Sequence, residues 1–467
     1  MTAIANPFLQ GNFAPIRQES AAENLPVIGE IPPELSGMFV RNGPNPQFDP
    51  IGQYHWFDGD GMLHGMHLQD GQATYRNRYV QTRGFLKEQA AQQAIWTGLL
   101  EPPQMELPDG PSKNTSNTAL VWHSQRLLTL LEAAEPYAIA LPSLATCGSY
   151  TFNGKLQSPV TAHPKVDPET GEMMFFGYGF APPYLQYSVV SAAGELLRTV
   201  PIDLPVGVMM HDCAITERFT IFLDLPLTFR PERAAQGQLP LAFERDRPSR
   251  FGIVPRHGDQ TQVRWFEAPA CYVFHTLNAY EQGDEVVLIA CRMAEYDLTG
   301  AATDPDASIP RLYEWRFNLS SGELQERQLS PIPAEFPRIN EQYMGRPMRY
   351  GFASKMAATP MPLFEGLLKF DFGATGTPTT QVHELGRDRY CGEAVFAPHP
   401  DAQTEDEGWL LTFVHDEGQN QSELLIVDAH DLTQEPIARV ILPQRVPYGF
   451  HGLWVSDAQI QATRQVL

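Results

Sequence analysis

The chain has 467 residues with Lys+Arg 33 against Asp+Glu 55, a formal charge of −22, and so lacks the basic balance that a nucleic-acid backbone requires. An apolar share of 43% with 19% charged residues excludes a disordered chain, and no run approaches the about 18 apolar residues of a membrane span. No basic segment followed by an apolar stretch opens the sequence, and its five widely spaced cysteines (147, 213, 271, 291 and 391) contain no CxxC pair, so the expectation is a cytoplasmic protein with reduced thiols.

In chain order, the first dense cluster is HWFDGDGMLHGMH at 55–67. Three histidines and two aspartates at short spacing suggest a metal site. Asp-Gly-Asp-Gly between apolar residues is, however, a hairpin-turn pattern, and strand alternation puts His64 and His67 on opposite faces, so the segment reads as structural. Next comes FLKEQAAQQAIWTGLL at 85–100, the best amphipathic-helix pattern. Its Phe85, Leu86, Ile95, Trp96, Leu99 and Leu100 form either a patch that dips into a membrane or a face packed on the body of the protein.

Beyond it, short β-branched, aromatic and aliphatic runs recur between scattered Gly and Pro: 127–131, 173–178, 219–223, 286–290, 409–414 and 424–427. Many short strands with frequent turns predict an all-β sandwich, barrel or propeller. No linker divides the chain, so a single domain is expected over 1–467, with 1–30 an irregular arm. Four segments share a strand–turn–strand layout and begin at 187, 313, 368 and 424, with spacings of 126, 55 and 56. A unit of 56–63 residues fits seven or eight times into 467, the arithmetic of a β-propeller. A large sandwich with coincidental hairpins is the competing reading.

Of 13 histidines, His163, His211 and His275 stand out, because each precedes a turn and an apolar strand 10, 8 and 11 residues on. His451 ends an aromatic run, YGFH, near the C-terminus. The gaps between the four are 48, 64 and 176 residues, and 176 is close to three repeat units. Histidines placed once per blade would converge on a propeller axis, where four neutral imidazoles suit Fe(II), Zn(II) or Cu(II) better than the oxygen-seeking Ca(II) or Mg(II). Hydrogen-bonded histidines at strand ends are the alternative.

GMFVRNGPNPQF at 37–48, YHWFDGDGMLHG at 54–65, YRNRYV at 75–80, KNTSNTALVW at 113–122, FPRIN at 336–340, CGEAVFAPHP at 391–400 and PYGFHGLWV at 447–455 together resemble the carotenoid cleavage oxygenases, bacterial apocarotenoid oxygenases among them. The resemblance runs in family order from about residue 30 to the end. It implies a seven-bladed β-propeller under a helical and loop dome, and a dioxygenase that cleaves a conjugated double bond with O2 at one non-haem Fe(II) per subunit. By the same resemblance the ligands are His163, His211, His275 and His451. Glu132, Glu335 and Glu393 stand behind three of them, where a carboxylate fixes an imidazole's tautomer and orientation. Thr118 matches a residue whose methyl crowds one iron position, or else has a packing role.

The implied substrate is a hydrophobic carotenoid or apocarotenoid, which the membrane reading of 85–100 would draw from a bilayer. Two other functions compete. Stilbenoid-cleaving relatives grip a phenol with a tyrosine like Tyr79 and a lysine just before the first glutamate, but that position here is Leu131. A propeller binding apolar ligands without chemistry is the other.

Overall fold

The computed structural model describes residues 6–466 apart from 103, 109, 235, 237, 299–303, 305 and 374–376. The described residues are almost entirely antiparallel β-structure with three short α-helices, and they divide into two compact units. One comprises Met1–Thr151, Leu363–Gly366 and His383–Leu467, the other Phe152–Pro362 and Leu367–Val382.

In the first unit, a five-stranded sheet has the order Ala21–Ala22, Gln72–Tyr79, Met62–Gln69, Gly37–Arg41, Gly452–Ser456. The last strand of the chain thus completes a sheet begun near its start, with Arg41 opposite Gly452. Strands Ala119–His123, Arg126–Leu130, Tyr137–Ala140 and Ala145–Ser149 form a four-stranded meander. A third sheet runs Val27–Gly29, Ala438–Ile441, Gln421–Asp428, Gly408–Asp416, Arg389–Cys391. The apolar faces of the first and third sheets meet in one core that contains Phe39, Met66, Tyr75, Leu411, Phe413 and Ile426. Residues 6–30 carry two single-turn 3-10 helices and the two edge strands already named.

The second unit has the meanders Lys165–Val166, Met173–Tyr178, Leu185–Val190, Leu196–Ile202 and Cys213–Ile215, Phe219–Asp224, Ser249–Pro255, Arg264–Ala268. A longer path follows through Tyr272–Gln282, Glu285–Met293, Arg311–Asn318, Leu324–Arg338 and Tyr350–Met356. Its core is built from the strand residues that face inward, among them Phe176, Tyr187, Phe222, Phe251, Trp315 and Phe317. All six apolar runs picked out in the sequence fall in strands, with Leu131 alone just beyond Arg126–Leu130, and the four strand–turn–strand segments are hairpins. The turn of the third, at 374–376, lies outside the described residues.

Two local readings need correction. The Asp-Gly-Asp-Gly stretch is not a hairpin turn. His55 caps a 3-10 turn at Trp56–Asp58, with its ring accepting from Phe57 N–H and its own N–H bonded to the Asp58 carboxylate. The chain then enters Met62–Gln69, whose hairpin turns at Asp70–Gly71, both in the left-handed region with φ 52 and 71. The helix pattern at 85–100 is realised only as Arg83–Ala91. Thr82 caps its start by accepting from Phe85 N–H, and Gln92 ends it at φ 57. The chain then folds back, because the Glu88 carboxylate accepts the N–H groups of Ile95 and Trp96 at 2.9 and 3.4 Å. Local side-chain capping outcompetes helix continuation through β-branched Ile95 and Thr97 and through Gly98. Phe85 and Trp96 are buried, whereas Leu86 and Leu99 stay exposed.

All five cysteines are free, with only Cys147 exposed. Among the described residues no helix is long and apolar enough to cross a membrane.

Charge inside the second unit is paired. Asp224, fully buried, accepts from Arg247 at 2.7 Å and from Arg250 Nε at 2.7 Å. Removing one partner of such a group strands the others in a poorly solvated place. Asp224→Ala should therefore destabilise the unit by about 3–5 kcal/mol, read as a clear fall in the thermal unfolding midpoint; an unchanged midpoint contradicts the assignment.

Candidate metal centre

Three of the candidate histidines meet in the second unit. His163 Nε2 lies 3.0 Å from His211 Nε2, which lies 3.2 Å from His275 Nε2, and the ligating atoms are all within 4.8 Å of one another. The rings are tilted or edge-on, with centroids 4.6 to 5.0 Å apart, so they do not stack.

Each ring is aimed by its backbone. His163 lies two residues before the short strand Lys165–Val166, and His211 two residues before the strand Cys213–Ile215. His275 lies inside Tyr272–Gln282, where the register slips between Val273 and Thr276 and again between Thr276 and Asn278. Such bulges re-aim a side chain that regular alternation would send elsewhere. Glu335 is placed by the same device. The register slips just after it, and Phe336 adopts φ 52, strain of a kind that collects at functional sites.

The outer nitrogen of His275 settles its tautomer. Its Nδ1 lies 2.5 Å from Glu335 Oε2, so the proton sits on Nδ1 and the Nε2 lone pair is bare. That lone pair faces two further Nε2 atoms. A shared proton can satisfy one such pair but not three converging nitrogens, whereas a cation satisfies all of them. Nitrogens about 2.1 Å from one ion stand about 3.0 Å apart at a right angle and about 3.4 Å apart at the tetrahedral angle. The observed 3.0 and 3.2 Å fall within that span, so the donor type and spacing fit a transition-metal ion such as iron.

His451 lies in the first unit, just before the strand Gly452–Ser456. Its Nδ1 lies 2.9 Å from Glu393 Oε1, and the other carboxylate oxygen accepts Gly452 N–H at 2.7 Å. The backbone around it is fixed on both sides. Asn42 N–H donates to the His451 carbonyl at 2.9 Å, and His451 N–H donates to the Thr118 carbonyl at 3.2 Å. Thr118 Oγ1 in turn donates to Asn117 Oδ1 at 2.9 Å. Glu132 is half-buried in the same unit, directly after Arg126–Leu130 and before the left-handed Ala133 with φ 64. The three other histidines of interest lie elsewhere: His64 Nδ1 contacts the Tyr75 hydroxyl at 2.8 Å, His67 pairs with Asp457 at 3.0 Å, and His55 is the cap described above.

Sequence reasoning missed the polar residue that follows each of the three converging histidines. These are Lys165, two positions after His163, and Asp212 and Thr276, directly after His211 and His275. Lys165 Nζ lies 2.7 Å from Asp212 Oδ1. Burial works to raise the Asp212 carboxyl, but the ammonium and the donors around it hold it below the usual carboxylate range. The shared feature, a polar residue beside an otherwise apolar strand, was visible in the sequence.

An all-β protein with converging imidazoles backed by carboxylate defines a histidine-held metal protein. The family model described as RPE65, retinal pigment epithelial membrane protein, matches residues 13–456. The chain is 42% identical to a carotenoid 9,10(9',10')-cleavage dioxygenase of Crocus sativus, over 97% of this chain and 90% of that protein. Its structure is similar to that of the Pseudomonas brassicacearum lignostilbene dioxygenase (TM-score 0.89, 30% identity, 96% and 98% of the two chains). It is also similar to a Synechocystis apocarotenoid oxygenase variant (TM-score 0.84, 27% identity, 95% and 97%); a cobalt-substituted structure of that oxygenase gives 0.82 at 28% identity over the same shares. The chain belongs to the carotenoid cleavage oxygenase family.

Replacing any of His163, His211 or His275 by alanine should abolish stoichiometric iron binding, measured by metal analysis of the purified variant. Retention of full iron content removes that residue from the site. Glu335→Gln keeps size but weakens the contact to His275, and should lower iron affinity or rate by about 10–100-fold. A wild-type affinity and rate in this variant rules out its orienting role.

Proposed function

We propose that the chain is an Fe(II)-dependent dioxygenase that cleaves one conjugated C=C bond of a carotenoid or apocarotenoid, consuming O2 and releasing two carbonyl products. The observation that carries this reading is the convergence of the His163, His211 and His275 Nε2 atoms. We assign His451 as the fourth ligand to one Fe(II) per subunit, because its outer nitrogen is held by Glu393 as that of His275 is by Glu335. Glu132 is assigned the matching role behind a third ligand, and Thr118 the crowding of one coordination position. Residues 1–467 then act as one catalytic body, a seven-bladed propeller with a helical and loop dome; the antiparallel meanders and the family resemblance support this.

Bound in such a site, Fe(II) supplies the one-electron chemistry that lets O2 react with a closed-shell double bond. The chain's own share is positioning and exclusion of water. The four imidazoles are all neutral donors, and no side chain is assigned a proton-transfer role. Aromatic rings precede His451 in the first unit: Trp56 packs on Phe450 and on Phe13 at 4.6 and 5.2 Å, and Phe57 on Phe450 at 5.4 Å. We read them as part of an apolar wall for a polyene. The exposed Leu86, Leu99 and Met105 suit transient contact with a membrane that holds the substrate, and the free cysteines suit the cytoplasm.

The likeness to a lignostilbene dioxygenase raises a second reading, cleavage of stilbenoid phenols. Two observations weigh against it. Leu131 offers no polar partner, and the Tyr79 hydroxyl is already engaged, accepting from Asn45 Nδ2 at 2.6 Å and donating to the Ile16 carbonyl at 3.2 Å. A buried phenol without a partner costs about 1–3 kcal/mol. An apocarotenal should accordingly be cleaved faster than a 4-hydroxystilbene by the same iron-loaded preparation, measured as carbonyl product over time. Faster cleavage of the stilbene overturns the substrate class and leaves the metal site standing.

A further inference from the structure

The first unit buries a cation that no acid balances. Arg41 ends the strand Gly37–Arg41 and is 4% exposed. Its guanidinium makes no hydrogen bond and no ion pair among the described residues, and its buried Nε lacks any partner. It packs on bare backbone, where a methyl group on Gly449 would fall 2.7 Å from Cζ, and Cζ lies 5.6 Å from the centre of the Phe413 ring. Burial lowers its pKa to about 10, so the charge persists at neutral pH. Buried charges are ordinarily paired. The acids on the strands around Phe413 are engaged elsewhere: Glu423 faces Arg389 and Arg439, and Asp416 lies 3.7 Å from Arg389.

The groups around Arg41 add donors and positive potential. His64 stands directly opposite it in the antiparallel ladder, hence on the same face of the sheet, and its ring centre is 6.3 Å from that of Phe413. The Tyr75 hydroxyl accepts Gln444 Nε2–H at 3.0 Å, and His64 Nδ1, 2.8 Å away, takes its proton. His64 therefore carries its own proton on Nε2, a donor with no acceptor among the described residues. Burial, and then the Arg41 and Arg445 guanidiniums, hold this imidazole neutral. Arg445 donates to the carbonyls of Asn12 and Ala14 at 3.2 and 2.7 Å and meets no carboxylate. Burial and Arg445 likewise lower His415 to about 4.

We propose that Arg41 and His64 form a buried site for one halide-sized anion, chloride by preference, held by the guanidinium and by His64 Nε2–H. A single uncompensated guanidinium calls for a monovalent ion. Enclosure of the two side chains at 4% and 1% exposure favours a compact, weakly hydrated ion over sulfate or phosphate. Arg41 pairs with Gly452, and the next residue, Asn42, donates its N–H to the His451 carbonyl at 2.9 Å, so a bound anion steadies the backbone that carries His451. The site does not depend on the metal assignment.

The test follows thermal unfolding of the full-length protein as sodium chloride replaces sodium gluconate at constant ionic strength. The wild-type midpoint should rise by a few degrees and level off, as binding to the folded state alone requires; a midpoint indifferent to the exchange overturns the proposal. Arg41→Met removes the charge and should remove this dependence, and a wild-type response in that variant also overturns it. If Arg41→Met fails to fold, as judged by circular dichroism, crystals of the wild-type protein grown with sodium bromide decide, because anomalous scattering locates bromide. Bromide beside Arg41 and His64 supports the site, and bromide found only on the outer surface overturns it.

Discussion

Three imidazole nitrogens converge in the second unit, His163 Nε2 3.0 Å from His211 Nε2 and that atom 3.2 Å from His275 Nε2, and the bonds around them hold them there. The segments that carry His163, His211 and His275 cannot relax apart, because Asp212 and Thr161 tie them at backbone and side-chain level. His275 cannot rotate to relieve the contact either, since Glu335 holds its outer nitrogen. The surrounding strands are rigid for a plain reason: their inward faces pack Phe176, Tyr187, Phe222 and Trp315 with essentially no exposure. A close-packed core of that kind transmits position instead of absorbing it.

Backbone irregularity appears where this precision is needed. Regular alternation in Tyr272–Gln282 would fix the direction of residue 275 from its neighbours alone, and the double register slip around Thr276 frees it from that rule. Phe336, in the left-handed region directly after Glu335, does the same for the carboxylate. Ala133 stands in the same relation to Glu132. Bulky or branched side chains are disfavoured in that conformation, so a residue such as Phe336 there needs support from its surroundings, and its ring packs 5.5 Å from His275.

The strands were legible because their signal is local. Alternating or continuous apolar runs such as 173–178 and 409–414 declare themselves within six residues, and the hairpin segments within about twenty. His163, His211 and His275 stood out because each precedes a turn and an apolar strand 10, 8 and 11 residues on. Two errors came from the same locality. Asp-Gly twice in succession at 58–61 looks like a turn, yet the hairpin uses the single Asp70–Gly71. The Ala- and Gln-rich stretch after Phe85 favours helix until Glu88 captures the N–H groups of Ile95 and Trp96. Glu335 and Glu393 lie 60 and 58 residues from the imidazoles they hold. No local pattern announces such a bond, and only the family resemblance singled them out.

Charge accounting in the second unit shows what sets Glu335 apart from a structural acid. Among the described residues its buried carboxylates are Asp167, Asp212, Asp224, Glu295, Glu314 and Glu335. Asp167 faces Arg256 and Arg346, Asp212 faces Lys165, and Asp224 faces Arg247 and Arg250. Glu295 faces Arg245, and Glu314 faces Arg316 and Arg327. Each of these five is neutralised by a permanent cation, as burial demands. Glu335 alone faces an imidazole, which is neutral when its inner nitrogen serves as a ligand. Were His275 a neutral metal ligand, the ion at its Nε2 would be the charge that balances Glu335.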